Sequence, residues 1–154
     1  MVKIEKARDA DIPALLSLLQ ALFVIEKDFE ADADRQRRGL QALINASGEQ
    51  AVLLVARVED SVVGMASVQL AISTAQGAPS AWIEDVIVSQ RHRGKGIGRA
   101  LLHAVVGWAS DQGATRAQLL ADRDNAAALS FYARCGLQPT NLIALRIPDL
   151  TRFE

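Results

Sequence analysis

The sequence predicts a mixed sheet covered by helices, in the α/β (α+β) class, and three observations carry that expectation. Segments with strand periodicity and segments with helix periodicity follow one another in the order β-α-α-β-β-β-α-β-α-β. A glycine-rich turn, Arg91 to Arg99, joins a strand-like run directly to a helix-like run. No Pro/Gly/Ser-rich linker, internal repeat or low-complexity tract divides the chain, so one domain over residues 1–154 is expected.

Residues 2–7 read as a short strand. Asp9 is placed as an N-cap for a helix whose apolar positions are Ile12, Leu15, Leu16, Leu19, Leu22 and Phe23. A polar, acidic stretch at 26–34 precedes a second helix over 32–46, with Leu40, Leu43 and Ile44 inward and Gly48 as its stop signal. Two strand-like runs, 51–58 and 62–72, meet at the turn-like Glu59-Asp60-Ser61 and read as an antiparallel hairpin. A loop with Gly77 and Pro79 leads into a strand at 81–88, Ala-Trp-Ile-Glu-Asp-Val-Ile-Val. The helix after the glycine turn runs to about Gln112, with Ile97, Leu101, Leu102, Val105 and Trp108 on its apolar face and Gly113 just past its end. A strand at 116–121, a helix capped by Asp124 and closed by Gly136, and a last strand at 141–147 before Pro148 complete the expected order.

Bulk properties narrow the function classes. A chain of 154 residues buries a sizeable core without disulfides. Hydrophobic residues at 50% and charged residues at 23% argue against disorder. A net charge of −1 gives no global field for nucleic acid or an anionic membrane, and neither is expected as a partner. Cys135 stands alone, so an intrachain disulfide framework is excluded. The N-terminus lacks the apolar core of a signal peptide and no stretch is apolar enough to span a bilayer; the expected location is cytoplasmic. No His–Asp set accompanies Cys135, so it is not read as a nucleophile, and His92 with His103 are too few for a metal site. Trp82 and Trp108 read as core or interface aromatics.

The turn carries the strongest chemical signal. Gly94, Gly96 and Gly98 remove side chains where backbone N–H groups converge, and a helix N-terminus adds unpaired donors and partial positive charge. With Arg93, Lys95 and Arg99 beside them, these groups suit a pyrophosphate. The P-loop pattern is absent, and the alternate glycines, late in the chain, do not follow the dinucleotide fingerprint. A third pattern, [QR]-x-x-G-x-[GA], is matched by Arg93, Gly96 and Gly98. The turn by itself leaves a ligand site and a ligand-free basic turn both open.

Further residues tip that balance. Downstream stands Asn125-Ala-Ala-Ala-Leu-Ser-Phe131-Tyr132-Ala-Arg-Cys-Gly136-Leu137. With the segment Asp85-Val86-Ile87-Val88 and the run Arg93-Gly94-Lys95-Gly96-Ile97-Gly98-Arg99, it resembles the GCN5-related N-acetyltransferase (GNAT) superfamily: closely over roughly residues 80–136, by element order before that. The resemblance implies a mostly antiparallel sheet that splays between its fourth and fifth strands around acetyl-CoA, used as co-substrate without a metal. Its pantetheine arm would lie along Val86, Ile87 and Val88, its diphosphate on Gly94 to Arg99, and its thioester carbonyl near the N–H of Ile87 or Val88. It implies direct attack by a primary amine, with Tyr132 as acid for the leaving thiolate and Asn125 either touching pantetheine or capping its helix.

The acid found in many relatives on the strand before the Asn motif is absent: Leu120 stands there. Glu84 and Asp85 replace it on the central strand, and adjacent strand residues face opposite ways unless a bulge intervenes. Parity with Val86 and Val88 selects Glu84 as base, with Asp85 close behind. The run Ile83-Glu84-Asp85-Val86 is also similar to a strand of eukaryotic glucosamine-6-phosphate N-acetyltransferases. Glu26, Asp28, Glu30, Asp32 and Asp34 offer an acidic rim to a cationic amine, while Arg35, Arg37 and Arg38 offer the opposite, a seat for a sugar phosphate. The expected acceptor is a small-molecule amine. A protein or peptide N-terminus, and a non-catalytic acyl-CoA sensor, are the alternatives. A homodimer through an edge strand near 141–147 is the partner suggested by analogy.

Overall fold

The strand-like runs 51–58, 62–72 and 81–88 form an antiparallel meander because short connections join them, whereas two helices separate the first strand from this meander. β1 (Val2–Lys6), β2 (Ala51–Val58), β3 (Ser61–Ser73), β4 (Ala78–Val88) and β5 (Arg116–Leu119) lie side by side in that order in the computed structural model. The first three pairings are antiparallel, while β5 runs parallel to β4 after a helical crossover. The structure describes residues 1–25 and 30–153 and divides into two compact units, Met1–Leu119 and Leu120–Glu154. Glu26 and Asp28, two members of the expected acidic rim, lie outside the described residues.

In the first unit, α1 (Ile12–Phe23) and α2 (Ala33–Asn45) precede the β2–β3 hairpin and α3 (Ile97–Asp111) joins β4 to β5. Leu15, Leu19 and Leu40 pack against Leu53, Val55, Met65 and Ile87, so α1 and α2 cover one face of the sheet. Leu101 and Val105 of α3 are fully buried, and α3 packs on β2, β3 and β4. Asp32 caps α2, its carboxylate accepting from the N–H groups of Asp34 and Arg35 at 3.1 Å each. Asp9 does not cap α1 as expected. Asp9–Asp11 form a single 3₁₀ turn, α1 starts at Ile12 with Pro13 in its first turn, and Asp9 Oδ1 accepts from Gln41 Nε2 at 2.8 Å.

The far end of β1 and β2 is tied by charge. Arg57 donates through Nε to Glu5 Oε1 at 2.8 Å and through Nη2 to Asp11 Oδ1 at 2.9 Å. Asp11 Oδ2 in turn accepts from the Arg8 N–H at 2.9 Å. Hydrogen bonds from Lys3 and then Arg57 hold the Glu5 carboxyl down to about 2.

In the second unit, α4 (Ala126–Arg134) is capped by Asn125, whose Oδ1 accepts from the Ala128 N–H at 3.1 Å. The expected cap, Asp124, sits one residue too early, and its own N–H donates to Asp122 Oδ1 at 2.9 Å. The expected last strand at 141–147 is not formed. Its apolar residues Leu142, Ile143 and Leu145 are exposed and the segment belongs to no ladder. Strand composition alone does not make a strand, because the backbone must also find a partner edge.

Candidate active site

β4 changes character halfway along. Its pairing with β5 spans only Ser80↔Arg116 to Ile83↔Leu119. From Glu84 to Val88 the strand keeps β3 on one side, while its other edge has no strand partner among the described residues. That opening is the expected splay, on the backbone of Val86, Ile87 and Val88. β5 ends at Leu119 rather than at the expected 121.

The same stretch holds a β-bulge. Val68 pairs with Ile83 and Ala66 with Val86, so Ser67 alone faces both Glu84 and Asp85. The extra residue cancels the parity argument: Glu84 no longer shares a face with Val86. Both acids instead line one cleft, between α1, α2 and the sheet. Glu84 is exposed and Asp85 half-buried. Burial, reinforced by the neighbouring Glu84 charge, pushes the Asp85 carboxyl up to about 6. The expectation that one acid faces the site while the other is structural is therefore corrected, and the perturbed carboxylate is Asp85.

The cleft has a volume of about 460 Å³. Leu19 and Phe23 of α1 and Leu40 and Leu43 of α2 wall it. Gln36, one turn before Leu40, also lines it; its Nε2 donates to the Glu30 carbonyl at 3.3 Å, and its buried Oε1 has no partner among the described residues. Sequence reasoning missed Gln36. The signal was present, since residues 36, 40, 43 and 44 follow one helical stripe.

After β4 the chain makes a 3₁₀ turn, Gln90–His92, and enters α3 through Gly94 and Gly96, with φ of +73° and +79°. A Cβ at either glycine meets nothing within 4 Å. Glycine is required there by the left-handed backbone, not by crowding. Among the described residues, no backbone carbonyl accepts from the N–H groups of Gly94, Lys95, Gly96, Ile97, Gly98 or Arg99. Arg93 folds back on the strand, its Nε donating to the Val88 carbonyl at 3.0 Å. Lys95 and Arg99 are exposed. Gly64 was also missed. A Cβ there would lie 2.9 Å from the Ile87 carbonyl oxygen and 3.0 Å from Leu101 Cδ1, so this glycine lets β3, β4 and α3 close up beside the open edge.

In the second unit the Asn125 side chain serves as a helix cap, and Tyr132 lies on α4, half-buried, its ring 5.2 Å from that of Phe131.

Among the described residues, then, a strand edge without a strand partner adjoins a turn whose amides have no backbone acceptor, and a carboxyl raised toward neutrality stands on that strand. The acetyltransferase (GNAT) family model matches residues 12–137, and the chain belongs to that family of N-acetyltransferase enzymes. Aminoglycoside N(6′)-acetyltransferase type 1 of Stenotrophomonas maltophilia is 29% identical over 150 residues, covering 94% of this chain and 92% of that protein. The uncharacterized N-acetyltransferase YobR of Bacillus subtilis is 35% identical over 57 residues, 37% of this chain, and the match spans only 23% of YobR's length. In fold, the chain is similar to the solved aminoglycoside N-acetyltransferase AAC(6′)-Iy in complex with CoA, with a TM-score of 0.81 at 15% identity, covering 97% of this chain and 96% of that one.

Proposed function

We propose that the chain transfers the acetyl group of acetyl-CoA to the primary amine of a small molecule, by direct attack in a ternary complex and as one N-acetyltransferase domain over residues 1–154. The observation that carries this reading is the edge of β4 from Glu84 to Val88, without a strand partner among the described residues and leading into the amide-rich turn. An extended, amide-bearing pantetheine arm suits such an edge, and a diphosphate suits the turn. Acetyl-CoA thus fits the residues present.

In this reading, the N–H groups of Gly94 to Arg99 hold the diphosphate, with Arg93, Lys95 and Arg99 near it. A strand N–H at Ile87 or Val88 polarises the thioester carbonyl. Asp85 takes the proton from the incoming amine, for which a carboxyl raised to about 6 is better matched than an ordinary one. Glu84 keeps that value high and attracts the cationic form of the acceptor. The amine nitrogen bonds to the carbonyl carbon, the C–S bond breaks, and the thiolate leaves with a proton. Tyr132 is the proposed donor of that proton and Asn125 orders the helix that carries it; the support is their match to the family motif. Cytoplasmic work goes with this reading, since a lone Cys135 suits a reducing compartment.

The test is calorimetry with acetyl-CoA followed by a free-thiol assay over an amine panel. Heat on titration and acceptor-dependent thiol release are expected. Absence of any heat with CoA or acetyl-CoA would sink the proposal.

A further inference from the structure

We infer that the acceptor is a primary amine carried on a compact apolar body, such as a short aryl-alkyl amine, in preference to a phosphorylated or polyhydroxylated sugar. This deepens the acetyl-transfer reading and rests on it.

The cleft beside Asp85 holds about 460 Å³, a volume suited to one small molecule. Its walls are hydrocarbon: Leu19, Phe23, Leu40 and Leu43. Its polar lining among the described residues is Gln36, Gln69, Glu84 and Asp85. The two acids are at one end of the hydrogen-bonding scale, accepting when ionised. Gln36 adds a buried acceptor, since its Oε1 has no partner among the described residues while one N–H of its Nε2 donates to the Glu30 carbonyl. The lining therefore asks for a ligand rich in donors at one point, which an ammonium is, and apolar elsewhere.

A phosphate finds no cationic partner there among the described residues. No Lys or Arg lines the cleft among the described residues. Arg35, Arg37 and Arg38, which offered a seat for a sugar phosphate, are exposed, and Arg35 pairs with Asp32 at 3.3 Å. A phosphate beside Glu84 and Asp85 would meet like charge. A ring bearing many hydroxyls fares little better, since most would lose water against leucine and phenylalanine without gaining a partner.

The experiment compares kcat/KM for phenethylamine, kanamycin and glucosamine 6-phosphate at saturating acetyl-CoA and pH 8, by free-thiol release, with acetyl-CoA binding measured separately by calorimetry. Phenethylamine is expected to exceed both others at least tenfold. Leu43→Asn, checked for native circular dichroism, is expected to raise its KM about tenfold with kcat nearly constant, as lost apolar contact should. Greater activity on kanamycin or on glucosamine 6-phosphate would overturn the inference and leave acetyl transfer standing. Acetyl-CoA binding without turnover of any of the three would also overturn it. No acetyl-CoA binding at all would instead bring down the underlying reading.

Discussion

The two halves of β4 make opposite use of one strand. From Ala78 to Ile83 the backbone has strand partners on both sides over most of its length, and Ala81 and Ile83 are buried. From Glu84 to Val88 one edge has no strand partner among the described residues, the ladder bulges opposite Ser67, and two carboxylates enter the sheet. The regular half binds the sheet together; the irregular half exposes backbone and charge. The proposed reaction falls where the ladder is broken, at a cost in regularity that the first half offsets.

If the halves divide labour in this way, substitutions should separate activity from stability. The largest effect is expected for Asp85→Asn, with turnover falling about 100-fold or more, the usual scale for removing a general base. The wild-type pH profile should show the same group: kcat/KM falling about tenfold per unit below pH 6, where Asp85 is protonated, and flattening above it. An acidic limb that persists in Asp85→Asn would assign the base elsewhere. In the regular half, Ile83→Ala should lower stability by about 2–4 kcal/mol in urea unfolding. Its kcat at low temperature should stay within a few-fold of wild type, and a collapse of kcat in folded protein would erase the distinction.

Asp85→Asn should also stabilise the fold. The folded state favours the neutral carboxyl, so Asp85 contributes most below its ordinary range near pH 4 and loses that contribution as pH rises through about 6. The Asn variant should therefore gain about 1–3 kcal/mol over wild type at pH 8 and little at pH 4, read from urea midpoints. Gly96→Ala should weaken acetyl-CoA binding by about tenfold, from the cost of a side chain in the left-handed region, measured by calorimetry. The smallest effect is expected at the bulge. Ser67 Oγ is buried without a partner among the described residues, and Ser67→Ala should raise stability by up to about 1 kcal/mol in the same unfolding assay. A loss instead would mean that the hydroxyl is engaged.

Much of the fold was legible because its signals are local. The apolar strand-like runs 51–58 and 62–72, and the glycines at 94 and 96, need only a few neighbouring residues to be read. Asp9 and Asp124 were each placed as caps a residue or more early, since several polar residues there suit a helix start and only the backbone chooses among them. What failed was non-local. The bulge depends on Ser67, 17 and 18 positions before Glu84 and Asp85, and it removes the parity on which the choice between the two acids rested. The segment 141–147 has strand composition but no partner edge, which no local pattern can supply. The cleft was half legible: Leu40 and Leu43 were assigned to the buried side of α2, whereas Gln36 on the same stripe was not singled out.

The Arg57 tie between Glu5 and Asp11 bears on how an acid titration of this molecule is to be interpreted. Glu5, held near 2, keeps its contribution above its ordinary range and surrenders it only as pH falls toward that value. The fastening of the first strand thus stays charged throughout the interval in which Asp85 gains its proton. Activity that vanishes around pH 6 in a molecule still anchored at that corner reports a protonation event at the bulge and not a melting scaffold.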